Sequence, residues 1–184
     1  MDLLDFTGED MYFDQPLPPE VDGLIADAAE HYDADEGTDT AEQSLMRAYF
    51  LAPEHLTVLV ALYRFYYYRQ RYADALTVAD RAIALAAREL GLDPDWRNLS
   101  ADTLNRAAAD SMVLTRFLLL ALKGAGFLLM RMERPADALE RLEMAAAIDD
   151  SDRLGLGDML DWARRAAAKN AVTAQGDNIH YIGR

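Results

Sequence analysis

The sequence predicts an all-α fold assembled from repeated helical hairpins. Three observations carry that prediction. Tyr32, Ala41 and Ala48 are followed, each 34 residues later, by Tyr66, Ala75 and Ala82, and a fixed period of that length marks a repeat array. Apolar residues recur at i, i+3, i+4 and i+7, as in Leu24, Ile25, Ala28, Ala29 and Tyr32, which is the spacing of one helix face. Breakers fall between such stretches, at Gly37, Pro53, Gly91, Pro94 and Pro135.

Residues 1–19 form an acidic arm in which Gly8, Pro16, Pro18 and Pro19 prevent a long helix. Leu3, Leu4, Phe6, Met11, Tyr12 and Phe13 make it more apolar than a solvated tail requires, so part of it is expected to dock on the protein. A helical domain spans 20–170. Its first helix begins just after Pro19, and Thr38 or Asp39 can cap the second, which carries Ala41, Leu45, Ala48 and Leu51. A second pair covers about 54–70 and 72–90, joined by the short turn Arg69-Gln70-Arg71 that an antiparallel hairpin needs. Residues 90–118 interrupt the rhythm and read as an insertion. Within it Ser100 or Asp102 caps a helix through Leu104, Ala107, Met112, Thr115 and Leu119. The third hairpin is expected over 118–131 and 136–148, with Pro135 in the first turn of its second helix, where the missing N–H costs nothing. A closing helix over about 154–169 turns Leu156, Met159, Leu160, Ala163 and Ala167 inward, and the tail 171–184 is expected to be extended or poorly ordered.

The charge is distributed unevenly. The net charge is −14. Residues 1–46 hold 14 acidic residues and no Lys or Arg, while 47–184 hold 18 of each sign. No basic stripe is available to displace counterions from phosphates, so nucleic-acid binding is disfavoured. The acidic quarter reads either as a solubilising end or as an arm for a basic partner. Met112–Leu122, the longest apolar run, is broken by Arg116 and stopped by Lys123, so no membrane span is expected. The acidic N-terminus does not look like a secretory signal, and the expected compartment is the cytoplasm. The chain has no cysteine, which excludes disulfides and thiolate chemistry. The dominance of arginine over lysine, with many alanines, fits a GC-rich bacterial genome.

Three segments, Asp22–His55, Leu56–Glu89 and Leu119–Asp152, resemble the tetratricopeptide repeat. Tyr32, Ala41, Ala48 and Pro53 match in the first, Leu62, Tyr66, Ala75 and Ala82 in the second, and Gly126, Ala138 and Ala145 in the third. Small residues are needed where helix axes approach to about 8–10 Å. Tyr63, Ala87 and Asp150 depart from the pattern. The resemblance implies a superhelical array of about three hairpins with an insertion and a C-terminal capping helix. It also implies a concave face that holds a peptide or helix of another protein. The groove positions it implies are Glu30 and Asp33, then Val60, Arg64, Tyr67 and Tyr68, then Lys123, Phe127, Met130 and Arg131. The family's carboxylate clamp is not expected, because Ala26 and Glu30 stand at two clamp positions and only Lys123 survives in kind.

Five aromatics lie in the six residues Tyr63 to Tyr68, too many for one helix face. Tyr63 and Tyr66 read as core, and Tyr67 and Tyr68 as groove residues, since tyrosine and arginine are frequent binding hot spots. The stretch Asp33-Ala-Asp35-Glu-Gly37-Thr-Asp39 resembles the start of a calcium loop but lacks the later bidentate glutamate, so a capped turn is expected. His31, His55 and His180 have no ligand spacing. Asp74 and Asp80 read as solvated. No catalytic signature, cofactor site or metal site is expected. The function expected is a non-enzymatic adaptor or scaffold, with a small acidic chaperone for a secreted or assembling protein as the alternative and a homodimer as a further possibility.

Overall fold

The structure, a computed structural model, describes residues 16–31, 38–149, 152 and 154–176. Among these residues there are eight α-helices and no strand. The expectations that fall on residues 1–15, on Tyr32 to Gly37 (Asp33 included) and on the tail from 177 lie outside the described residues.

Helix α1 (Pro19–Glu30) starts at a proline, whose fixed φ suits the first turn, with Glu20 and Asp22 beside the positive end of the helix dipole. It packs on α2 (Thr38–Leu51) through Val21, Ala28, Ala41, Leu45 and Ala48, and Ser44 Oγ donates to Asp27 at 2.5 Å across the pair. Helix α3 (Leu56–Tyr68) is capped by His55, whose Nδ1 accepts from Thr57 N–H at 3.3 Å. Helix α4 (Tyr72–Glu89) buries a row of small side chains, Ala75, Ala79, Ala82 and Ala86, together with Ile83.

Residues 90–111 leave the hairpin pattern. Gly91 adopts a φ of 68° to end α4. A short 3-10 turn follows at Trp96–Asn98, and then α5 (Ala101–Asp110), capped reciprocally by Ser100 and Thr103. The continuous helix expected through Met112 is in fact two. Ser111 takes an extended conformation and its side chain accepts from Leu114 N–H at 3.3 Å, so it closes α5 and caps α6 (Met112–Arg131). The insertion therefore ends about seven residues earlier than the expected 118. Helix α6 has the length and mean hydropathy, 1.8, of a membrane span. Here that composition serves burial, because α6 packs against α4, α5 and α7 (Pro135–Ala146). Helix α8 (Gly157–Gly176) closes on α7 with Leu160 and Ala163 buried. Residues 171–176, expected as extended tail, continue this helix.

The second and third hairpins have the same turn. Arg71 N–H donates to Tyr66 O and Arg134 N–H to Leu129 O, both at 2.9 Å. Gln70 and Glu133 sit in the left-handed region at φ 57° and 58°. Arg71 Nε then binds Asp74 and Arg134 Nε binds Asp137, each at 2.7 Å, across the first turn of the second helix. The small residues sit where the helices approach most closely. A Cβ on Gly126 would lie 2.7 Å from Leu142 Cδ2. The extensive helix contacts run α1–α2, α2–α3, α3–α4, α4–α6, α6–α7 and α7–α8, with α5 on α6. Each hairpin thus rests mainly on its neighbours along the chain.

Candidate functional site

Helices α3 and α6 flank α4 and meet at an aromatic cluster. The Tyr67 ring is its centre: Tyr63 stacks on it with centroids 6.1 Å apart and planes at 18°, Tyr68 meets it edge-on at 5.5 Å, and Tyr72 and Phe127 each lie 6.2 Å away. Such offset and edge geometries bring the positive ring edge against a neighbour's negative face. The local sequence explains the placement. Tyr63 and Tyr67 are one helical turn apart on α3, the short turn folds Tyr72 back over the end of that helix, and Phe127 comes from the next hairpin. Arg131 closes one side, donating to Tyr72 Oη at 2.9 Å with its guanidinium 5.3 Å from that ring's centre. Tyr68 keeps 46% of its surface exposed, and Tyr63, Tyr67 and Tyr68 each make further interactions besides these.

The residues expected at the groove divide into two sets. Arg64, Tyr68 and Arg131 are exposed, Tyr67 and Phe127 are half-buried at the α3–α6 contact, and Glu30 is exposed at the end of α1. Met130 is 7% exposed and belongs to the core. Lys123, expected as a groove cation, is also buried, with its ammonium donating to the Leu154 carbonyl of the segment leading into α8. That correction has a simple cause: the closing segment returns 31 residues later to cover this part of α6. Asp33 lies outside the described residues.

The chain is 45% identical over 161 residues, covering 88% of each protein, to the "Uncharacterized 19.8 kDa protein in nifW 5'region" of Azotobacter chroococcum mcd 1. The chain belongs to that protein's family. No protein-family model matches the chain, and no solved structure matches it.

In this member of the family, a polar network joins the first two hairpins beside the aromatic cluster. Tyr66 Oη donates to Glu42 Oε1 at 3.2 Å, and Arg71 bridges Glu42 and Asp74, each at 2.7 Å, with its guanidinium 4.6 Å over the Tyr66 ring. Burial, reinforced by the Glu42 carboxylate, raises the Tyr66 phenol above its ordinary value. The hydrogen bond to Asp74, with Glu42 adding, holds the Arg71 guanidinium still more firmly protonated. Glu89, at the end of α4, is raised by burial and by Glu54, with His55 opposing. Asp74 and Asp80, read from sequence as solvated, keep 50% and 43% of their side chains exposed and also pair, Asp74 with Arg71 and Asp80 with the buried Arg141.

Sequence reasoning missed Trp96. The guanidiniums of Arg97 and Arg141 lie 4.6 and 4.9 Å from the centre of its ring, and the residue is 6% exposed. Arg141 also pairs with Asp80, so the insertion is clamped onto α4 and α7. A tryptophan within a stretch read as a linker was the available signal. Among the described residues, no group of three His, Cys, Asp or Glu side chains could hold a metal ion.

Proposed function

We propose that the chain is a non-enzymatic protein-interaction module of tetratricopeptide type, a superhelical array of three hairpins closed by α8, whose α3–α6 face holds a segment of a partner protein. One observation carries the reading: the partly exposed aromatic cluster around Tyr67, bordered by Arg64 and Arg131 on two helices that bear no acidic residue. Rigid tyrosines supply contact area at little entropic cost, and arginines fix register by hydrogen bonds, which is the chemistry of a helix or an extended peptide in a groove. The shared turn geometry of the second and third hairpins supports the repeat assignment. Arg64→Ala combined with Tyr68→Ala removes two exposed side chains and leaves the Tyr63–Tyr67–Phe127 packing intact. Affinity capture with this variant should lose partner binding about tenfold or more; retention of every partner at wild-type strength would reject the reading.

A second reading is a small acidic chaperone. The concentration of acid in residues 1–46 favours it, and the Azotobacter relative is described as lying in the nifW 5′ region. The product of nifW is then the first client to test. Co-expression should raise its soluble yield if the reading holds, and an unchanged yield would remove that client.

A further inference from the structure

We propose that the outer face of α8 is a self-association surface. Two copies of the chain pair antiparallel through it, with Asp158 and Trp162 of each copy set against Lys169 and Arg165 of the other. This face is separate from the α3–α6 face, so the inference does not depend on the partner-binding reading.

Length is the first observation. Helix α8 has 20 residues and α7 has 12, or about 30 and 18 Å of helix. The extensive contacts of α8 are with α7 alone, through the buried Leu160 and Ala163 and the half-buried Met159 and Ala166. Its second half runs past that support, and residues 168–173 are all exposed. A helix that only closed an array would present a polar outer side. This one presents Trp162, 42% exposed, and Val172, 70% exposed. Both share a row with Arg165 and Lys169, because positions 162, 165, 169 and 172 follow the three-and-four spacing of one helix face. Arg164 is engaged by Glu143 and Asp161. Among the described residues, none pairs with the side chains of Asp158, Trp162, Arg165 or Lys169.

Charge names the occupant. Asp158 and Asp161 lie in the first half of the face, Arg165 and Lys169 in the second. Such a pattern complements itself when a second copy is turned end for end, and a two-fold interface makes every contact twice. With the axis level with Ala163 and Arg164, Asp158 stands opposite Lys169 of the second copy, and Trp162 opposite its Arg165. The indole face then receives a guanidinium, and each carboxylate an ammonium. A parallel pair would instead set Asp158 on Asp158 and Arg165 on Arg165. The rest of the molecule permits the approach: the excess of acid lies in residues 1–46, while residues 47–184 balance. Two chains of net charge −14 therefore repel least where they meet through α8. From Asp158 to Val172 the face is about 22 Å long, which is less than a permanent interface needs. The dimer is accordingly weak, with a dissociation constant of roughly micromolar to millimolar order.

The test is sedimentation equilibrium of the full chain from about 10 μM to 1 mM, a range that brackets such an affinity. A reversible monomer–dimer equilibrium is expected, weakened by about 1 M salt, which screens the ion pairs. Trp162→Ala should weaken it about tenfold. Charge reversal tests the antiparallel register. Asp158→Lys alone, or Lys169→Asp alone, brings like charges together twice and should weaken the dimer about tenfold. An equimolar mixture of those two variant chains should regain wild-type strength, because both mixed contacts again join opposite charges. All these side chains are exposed, and an unchanged far-UV circular dichroism spectrum shows that each variant folds. Fluorescence gives a second measurement. The chain has two tryptophans, and Trp96 is buried. A blue shift with rising concentration that Trp162→Phe abolishes therefore reports the covering of Trp162. A strict monomer at about 1 mM would overturn the proposal and leave the face to a foreign partner. A dimer indifferent to either charge reversal, or a mixture as weak as its parents, would overturn it as well.

Discussion

Gly126 and Lys123 sit on the same helix and show what single atoms decide. Gly126 faces Leu142, which is fully buried and so has little freedom to withdraw from an added methyl 2.7 Å away. Gly126→Ala gains up to about 1 kcal/mol of helix propensity, but overpacking costs about 1–3 kcal/mol. Net destabilisation of roughly 1 kcal/mol is expected in urea unfolding, and Leu142→Ala in the same chain should make the alanine at 126 favourable. Lys123→Met keeps the stem but leaves the Leu154 carbonyl without its donor. A loss of about 1–2 kcal/mol follows, and proteolysis should speed up first at the start of α8. The sequence reveals Gly126, since the crossing of two helices leaves room for nothing larger. It misleads on Lys123, because helical spacing says which side of α6 the residue is on but not that a segment 31 residues away covers it.

At the scale of elements, the insertion and the joint between the first two hairpins each hold helices by a few side chains. Trp96 binds the insertion to α4 and α7 through Arg97 and Arg141. Trp96→Ala removes a buried ring and leaves the Arg141–Asp80 pair without its cover, so a loss of about 3 kcal/mol is expected in chemical denaturation; a loss under about 1 kcal/mol would show the insertion to be merely attached. Helix existence and turn positions were legible here because the 3.6-residue period and the breakers are local. The split at Ser111 was not, since its hydroxyl caps α6 without interrupting the apolar period. The α2–α3–α4 joint makes a pH prediction. A phenol raised in the folded state keeps its proton where the unfolded chain loses it, so folding stability falls as pH rises above about 10. Tyr66→Phe should flatten that alkaline decline relative to wild type and cost about 0.5–1.5 kcal/mol at neutral pH through the lost Glu42 hydrogen bond. An unchanged alkaline slope would show that the Tyr66 phenol does not contribute to it.

Across the whole molecule, packing follows chain order, and that governs how disturbance spreads. The 34-residue period announces helices that pair with their neighbours along the chain, and the helix contacts run largely in that order. The meeting of Tyr67, Tyr72 and Phe127 was only half visible, since it depends on how two hairpins lean together around α4. In a sequential stack, stability is close to a sum of local and nearest-neighbour contributions rather than the property of one shared core. The α1–α2 hairpin reaches the remainder chiefly through α3 and the Glu42–Arg71–Tyr66 contacts. Native-state hydrogen exchange should therefore show α1 and α2 opening at lower free energy than α4 and α6. Glu42→Ala cuts both ties at once. It should lower the opening free energy of the α1–α2 amides by about 1 kcal/mol while leaving the α6–α7 amides unchanged. An equal fall in every helix would mean that the chain unfolds as one unit, so that the order of packing does not set its cooperativity.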